Sequence, residues 1–373
     1  MLIHKLDCNL QLPNNEEAEA IIYTNSTNLD LKNVQIIQRF PFINAVAVRG
    51  KLQNIQQLTL LNEVNYICSV GKIKNFDFVT DVNFLYSQNY NFNKNCKYMH
   101  KYTNNMYNDY SKFSGIYPYR VAVLDTGVAN HIDLSLVKNR VIRQVDFVSN
   151  LQYNYDDNGH GTFVAGQIAS SGILSKGKIC GVVKNSEVVS IKIMDEKGES
   201  TMLQALNGMQ WLADNFTRFN IKVVCMSFGT IPIKNDPLQG AVQSLYNLGL
   251  TVVCASGNSG ENSFMSPAIS PYVVSVGSVD NFYNISSFTS RGVYNNFAYP
   301  FIYAKGENVV GISNKSAYSI MSGTSVSCPI VCGYILRLFS KYPNLNPTNV
   351  KTILQKHCLY KNGIKIIEPN LIM

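Results

Sequence analysis

The sequence predicts an α/β domain built on a mainly parallel sheet, preceded by a small α+β unit. Three observations carry that expectation. From Tyr119 onward, strand-like apolar runs alternate with helical patterns, as in a parallel sheet covered on both faces. Runs such as Val188-Val-Ser-Ile191 are almost continuously apolar, which suits strands buried on both sides. Glycine-containing turns stand where several runs give way to helices.

The first unit is read from about Glu17 to Lys72, within residues 1–75. Ala20-Ile-Ile-Tyr23 and Ile43-Asn-Ala-Val-Ala-Val48 alternate as strands, Leu52 to Leu61 reads as an amphipathic helix, and Val64 to Cys68 as a short strand. Tyr86 to Lys112 is dense in Asn, Tyr and Lys, so residues 76–112 read as a linker or surface loop. Residues 113–373 then form the large domain. Its expected strands are Arg120–Leu124, Val141–Val148, Glu187–Ile193, Val223–Ser227, Thr251–Ala255 and Val273–Val276. Helices are expected over His160–Ser170, Thr201–Phe216, Leu238–Leu248, Ser325–Ser340 and Pro347–His357. Ser200 or Thr201 and Asn346 are suited to cap two of these, and Pro347 to the first helical position.

With 46% apolar and 15% charged residues, the composition is that of a chain with a sizeable core. The net charge of +8 comes from scattered lysines with no basic run or nucleic-acid motif, so no nucleic-acid partner is expected. Met1 to Cys8 turns polar too soon for a signal peptide or a membrane span. Nine cysteines without a C-x-x-C pair suit a reducing compartment and read against both a disulfide framework and a zinc site. A cytoplasmic location is expected, with secretion by a non-standard route left open.

Chemistry concentrates in four strings. Met321-Ser-Gly-Thr-Ser-Val-Ser-Cys-Pro329 puts Ser325 where a turn enters a helix, whose unpaired N–H groups favour developing negative charge. Alone, that string would read as a helix cap. Val121-Ala-Val-Leu-Asp-Thr-Gly-Val128 ends an apolar run in Asp125, and Asn158-Gly-His-Gly-Thr-Phe-Val-Ala-Gly166 sets His160 between two glycines before a helix. A hydroxyl to attack a carbonyl, an imidazole to take its proton and a carboxylate to hold the imidazole's tautomer make a nucleophilic triad. In the fourth string, Ala255-Ser-Gly-Asn-Ser-Gly260, the Asn258 amide follows a buried strand and suits an oxyanion donor, together with the Ser325 N–H.

Asp-Thr-Gly around Asp125, Gly-His-Gly-Thr around His160 and Gly-Thr-Ser-x-x-x-Pro around Ser325, in that order, resemble the signatures of the subtilisin-like serine proteases. The resemblance covers roughly Tyr119 to His357. It implies the subtilisin-like three-layer fold and an endopeptidase acting on protein or peptide substrates. It also implies that Ser227, Phe228 and Gly229 pair with the substrate backbone, and that Ala255, Ser256 and Gly257 wall the pocket for the residue before the cleaved bond. Phe163 departs from the family's second histidine, and Val326 and Ser327 from its usual Met-Ala. No cofactor is implied for catalysis. Asp133 resembles a calcium ligand, but Ser170 to Cys180 lacks the Asn-rich loop that would complete the site. Phe42-Ile-Asn-Ala-Val-Ala47 and the string from Leu61 resemble the family's ferredoxin-like propeptide, implying an N-terminal domain that assists folding and inhibits with its tail in the cleft. The alternative is a catalytically silent binding or signalling relative with the same fold.

Overall fold

The computed structural model describes residues 16–26, 33–75, 119–135, 139–184, 186–315 and 317–368, together with 5, 6, 10, 29 and 31 and the backbone alone of 78–80. The linker expected over 76–112 lies outside them apart from 78–80, as does most of Met1 to Cys8.

The alternating runs of the first unit form an antiparallel sheet. Its elements are β1 (Glu17–Thr24), β2 (Gln35–Phe40), β3 (Ala45–Lys51), helix α1 (Leu52–Gln57) and β4 (Val64–Ser69), with strand order β2-β3-β1-β4. Period-two alternation divides the side chains between two cores. Ala20, Ile22, Val46 and Val48 pack with Leu52 and Ile55 of α1. Ile21, Ala45, Ala47, Tyr66 and Cys68 turn the other way, into a core shared with the large domain. The sequence pattern missed β2 because only Phe40 of its six residues is buried, so no apolar alternation marks it. Two short strands follow, β5 (Lys72–Asn75) and β6 (Phe78–Thr80), and each joins a sheet of the large domain.

In the large domain the chain forms β7 (Arg120–Asp125), a short α2 (Ile132–Ser135), β8 (Val141–Asp146), α3 (His160–Ala169), β9 (Val188–Lys192), β10 (Glu199–Thr201) and α4 (Met202–Asn215). Next come β11 (Ile221–Met226), β12 (Phe228–Gly229), α5 (Pro237–Asn247), β13 (Thr251–Ala255) and β14 (Val273–Val279). The remainder holds β15 (Gly292–Tyr294), β16 (Phe297–Tyr299), β17 (Ile302–Lys305), β18 (Val309–Ile312), β19 (Tyr318–Ser322), α6 (Thr324–Lys341), α7 (Pro347–Lys356), β20 (Leu359–Lys361) and β21 (Ile364–Ile366). Both expected caps form: Thr201 pairs reciprocally with Gln204, and Asn346 with Asn349. β8 stops two residues short of its expected end because the Asp146 carboxylate accepts the N–H groups of Val148, Ser149 and Leu151 and turns the chain.

The central sheet runs β20-β21-β17-β14-β13-β11-β7-β9-β8, parallel throughout except for β20 at its edge. Val121, Val123, Val223 and Val253 on one face pack with α3, α6 and α7, while Ala122, Leu124, Val189 and Ile191 on the other pack with α4 and α5. This is the three-layer α/β arrangement. Every residue of α6 from Thr324 to Phe339 is buried, so that helix is apolar nearly all round. From β7 the chain goes first to β8 and β9 on one side, then crosses to β11 on the other. The sheet therefore has its topological switch between β7 and β11, the place where open α/β sheets gather functional loops at the carboxyl ends of the strands.

Candidate active site

Asp125 is the last residue of β7, Ser227 directly follows β11, and Ala255 ends β13. Leu124 pairs with Met226, and Met226 with Cys254, so these three residues stand side by side one step beyond the register. His160 opens α3, and Ser325 is the second residue of α6, which packs against α3.

The Oδ1 of Asp125 lies 2.6 Å from His160 Nδ1 and accepts the Thr126 N–H at 2.7 Å. Asp125 and His160 are each 1% exposed, and Ser325 is fully buried. Burial pushes the Asp125 carboxyl above its ordinary range, opposed by His160 and by the Thr126 N–H. Two glycines permit this approach. A Cβ on Gly161 would strike the Gly127 carbonyl and come 3.1 Å from Asp125, and Gly127 has φ +106°, a region open to glycine at little cost.

Two charged side chains hold these loops. The Asp156 Oδ1 accepts from the Thr126 hydroxyl (2.8 Å) and from the N–H groups of Asn158 and Gly159; its Oδ2 accepts from the N–H and hydroxyl of Thr162. A carboxylate at the start of α3 thereby binds that helix to the aspartate turn, and Thr126 Oγ1 accepts the Gly161 N–H in return. Lys192, fully buried, donates to the carbonyls of Thr126 and Met194 and to Asp157 at 2.6 to 2.7 Å. Sequence reasoning missed both. Asp156-Asp-Asn-Gly before a helix was a capping signal, whereas a lysine within an apolar run announces burial but no partner.

Thr324 joins the other half of the site. Its N–H and hydroxyl both donate to Asn258 Oδ1 at 3.0 Å, and its Oγ1 accepts the Gly257 N–H. The Asn258 amide is thereby oriented by its oxygen. Gly257 is further held by the Ser290 N–H on its carbonyl, and Ser256 by the Tyr299 hydroxyl on its own. The Ser227 hydroxyl donates to the Ser325 carbonyl at 3.0 Å.

Strand β5 lies between β10 and β12. Asn75 pairs with Phe228 and Lys74 with Gly229 on one side; Lys74, Ile73 and Lys72 pair with Glu199, Ser200 and Thr201 on the other. Lys74 and Lys72 flank the Glu199 carboxylate, and Ile73 is fully buried. β6 pairs with β19, the strand that leads into Gly323 and α6. Both strands are antiparallel to their partners here, with two residues between them.

The surroundings of Asp133 do not fit a calcium ion. The Leu174 N–H donates to its Oδ1 at 2.9 Å, and the hydroxyls of Ser170, Ser171 and Tyr318 lie 3.4 to 3.5 Å from its oxygens. Calcium takes about six to eight oxygen ligands with several carboxylates or carbonyls among them. Here one carboxylate anchors a loop through donors. Cys225, Cys254, Cys328 and Cys332 are fully buried, in keeping with their apolar surroundings in the sequence.

The profile of the subtilase family matches residues 119–364. Serine protease AprX of Bacillus subtilis (strain 168) is 33% identical over 67% of this chain and 63% of its own length. Subtilisin DY of Bacillus licheniformis is 34% identical over 63% of this chain and 81% of its own. Among solved structures, a cold adapted subtilisin-like serine proteinase superposes with a TM-score of 0.58 at 28% identity, over 68% of this chain and 90% of that one. Fervidolysin from Fervidobacterium pennivorans, a keratinolytic enzyme related to subtilisin, has the same fold over 98% of this chain and 62% of its own, with a TM-score of 0.76 at 20% identity. The chain thus spans a little under two thirds of AprX. The matched stretch runs from the start of β7 through β20 and includes Asp125, His160, Asn258 and Ser325, and on that ground the chain belongs to the subtilase family.

Proposed function

We propose that the protein is a serine endopeptidase that hydrolyses peptide bonds through an acyl-enzyme on Ser325. The observation that carries this reading is the buried 2.6 Å contact between Asp125 and His160 at the switch point of the sheet. Ser325 Oγ attacks the peptide carbonyl as His160 Nε2 takes its proton; the imidazolium then gives that proton to the leaving amine. Water, deprotonated by the same nitrogen, attacks the ester and frees Ser325. Asp125 holds the Nδ1–H tautomer and stabilises the cation. The Asn258 amide and the Ser325 N–H receive the oxyanion, a role favoured by the two Thr324 donors that orient Asn258. Ser227, Phe228 and Gly229 pair with the substrate backbone, and Ala255, Ser256 and Gly257 wall the pocket beside them. No cofactor takes part.

The N-terminal domain, residues 1–75, acts as chaperone and intramolecular inhibitor of the peptidase domain, residues 113–373. Its strand order β2-β3-β1-β4 is that of a ferredoxin-like sheet, and β5 occupies the edge of Phe228-Gly229 that a substrate would need. None of the seven described cysteines is in a disulfide, which suits work in the cytoplasm.

The test is reaction with a fluorophosphonate probe before and after limited proteolysis that detaches the N-terminal domain. Labelling of Ser325 should rise on detachment, vanish in Ser325→Ala, and fall again when the separate N-terminal piece is added back. A detached, folded domain that neither takes the label nor cleaves a peptide library would refute the enzyme and leave a silent relative.

A further inference from the structure

Three thiols converge behind the start of the helix that carries Ser325. Cys225 is the penultimate residue of β11, and Cys328 and Cys332 stand one turn apart on α6. All three are fully buried, and their sulfur atoms lie within 4.8 Å of one another. Cys225 Sγ and Cys328 Sγ are 3.7 Å apart. Thiolates bound to a single ion at about 2.3 Å stand about 3.8 Å apart in a tetrahedral arrangement and about 4.0 Å apart in a trigonal one. The cluster is within an ångström of either. A disulfide would instead draw Cys225 and Cys328 together to about 2.05 Å and leave the third sulfur unused.

Plain packing at these positions needs only small apolar side chains, whereas three soft donors from strand and helix meet here at one point. Around them stand the carbonyl oxygens of Val253 and Met226, 3.4 and 3.9 Å from Cys328 Sγ, and the Ser227 hydroxyl, 3.8 Å from Cys225 Sγ. No carboxylate or imidazole joins the cluster among the described residues. Soft sulfur donors without hard oxyanions select thiophilic ions over magnesium or calcium.

We propose that Cys225, Cys328 and Cys332 form a binding site for one thiophilic d10 cation of the class Cu+, Zn2+ or Cd2+. Three metal–sulfur bonds form, each thiol gives its proton to solvent, and no electron is transferred. Cu+ is satisfied by three sulfurs, while Zn2+ takes a fourth ligand, for which the Val253 carbonyl is nearest. Because the cluster is closed on all sides, the ion enters as the chain folds. Once bound it joins the end of β11 to the first turns of α6. The site belongs to the scaffold and is independent of the protease reading.

The full-length chain, carrying Ser325→Ala so that it cannot digest itself, is refolded with CdCl2, with ZnCl2 or with Cu+ under reducing conditions, then freed of excess metal. One Cd2+ per chain should remain, with a sulfur-to-metal charge-transfer band and a first shell of three sulfurs by X-ray absorption. The Zn2+ and Cu+ arms identify the better fitting ion. Cys225→Ala with Cys332→Ala should lower retained Cd2+ at least tenfold, and the single changes Cys8→Ala, Cys68→Ala, Cys96→Ala, Cys180→Ala, Cys254→Ala and Cys358→Ala should leave it unchanged. Should the double variant fail to fold, the sulfur shell of the otherwise unaltered chain decides. No retained Cd2+, a shell of oxygen or nitrogen, full retention in a folded double variant, or a Cys225–Cys328 disulfide in peptide maps would each overturn the site.

Discussion

The hydroxyl of Ser227 donates to the backbone carbonyl of Ser325 at 3.0 Å. In an uninterrupted helix that carbonyl would accept an N–H from four residues on, but residue 329 is proline and has none. The strand end thus supplies the bond that the helix lacks, and the segment expected to hold the substrate also holds the backbone of the candidate nucleophile.

Ser227→Ala should therefore cost about 1–3 kcal/mol, the usual penalty when a buried acceptor loses its donor, read as a lower denaturant midpoint. Pro329→Ala returns an N–H to the helix at the right position. The double variant should lose less stability than the two single changes together; strictly additive losses would show that the two groups are not coupled.

Removing the Asn258 amide should act on the transition state and spare binding. Asn258→Ala is expected to lower kcat on the order of 10²–10³-fold, a magnitude known from this same family, with KM little changed. A kcat within about threefold of the parent would end the oxyanion assignment.

The Asp125 carboxyl gives a pH test. Its folded pKa is raised by burial above the ordinary 3.8, so the fold favours the neutral form. That contribution is complete below 3.8 and is lost as the pH climbs through the folded value. Measured against Asp125→Asn, which cannot ionise, the parent chain should thus lose relative stability between acid and neutral pH, while the variant's kcat falls on the order of 10⁴-fold. A stability difference that does not change with pH would contradict the direction.

For the proposed peptidase, release of the N-terminal domain by its own cut is a further prediction, and the register of β5 and β6 says where that cut should fall. β5 ends at Asn75 on the Phe228 side and β6 begins at Phe78 on the strand leading to Ser325, so the cut bond should lie between residues 75 and 78. N-terminal sequencing of the released domain reads it directly, and Ser325→Ala should remain intact. Ile73→Asp, which puts a charge into a fully buried position, should weaken inhibition by the separate N-terminal piece about tenfold or more.

Much of this was legible because it is written in short stretches. Thr251–Ala255 is a strand from end to end as expected, since an unbroken apolar run between turns needs no distant information. The turns that carry Asp125, His160, Asn258 and Ser325 were legible in the same way, while the catalytic roles of those residues rest on the proposal. Asp156 and Lys192 escaped because their roles are contacts between distant segments: Asp156 meets Thr126 across 30 residues, and Lys192 meets Thr126 across 66. The thiols of Cys225 and Cys328 likewise meet across 103 residues, a distance that no spacing rule spans.

The N-terminal sheet covers an apolar strip that includes α5, where Tyr23 reaches to within 3.3 Å of the position a side chain on Gly240 would take. On the proposed reading, detaching that sheet would uncover the strip just as the peptidase is released from inhibition. Freshly activated molecules would then meet one another through matching bare surfaces, so activation at high concentration favours clumping, and dilution or a new partner on α5 would keep the enzyme dispersed.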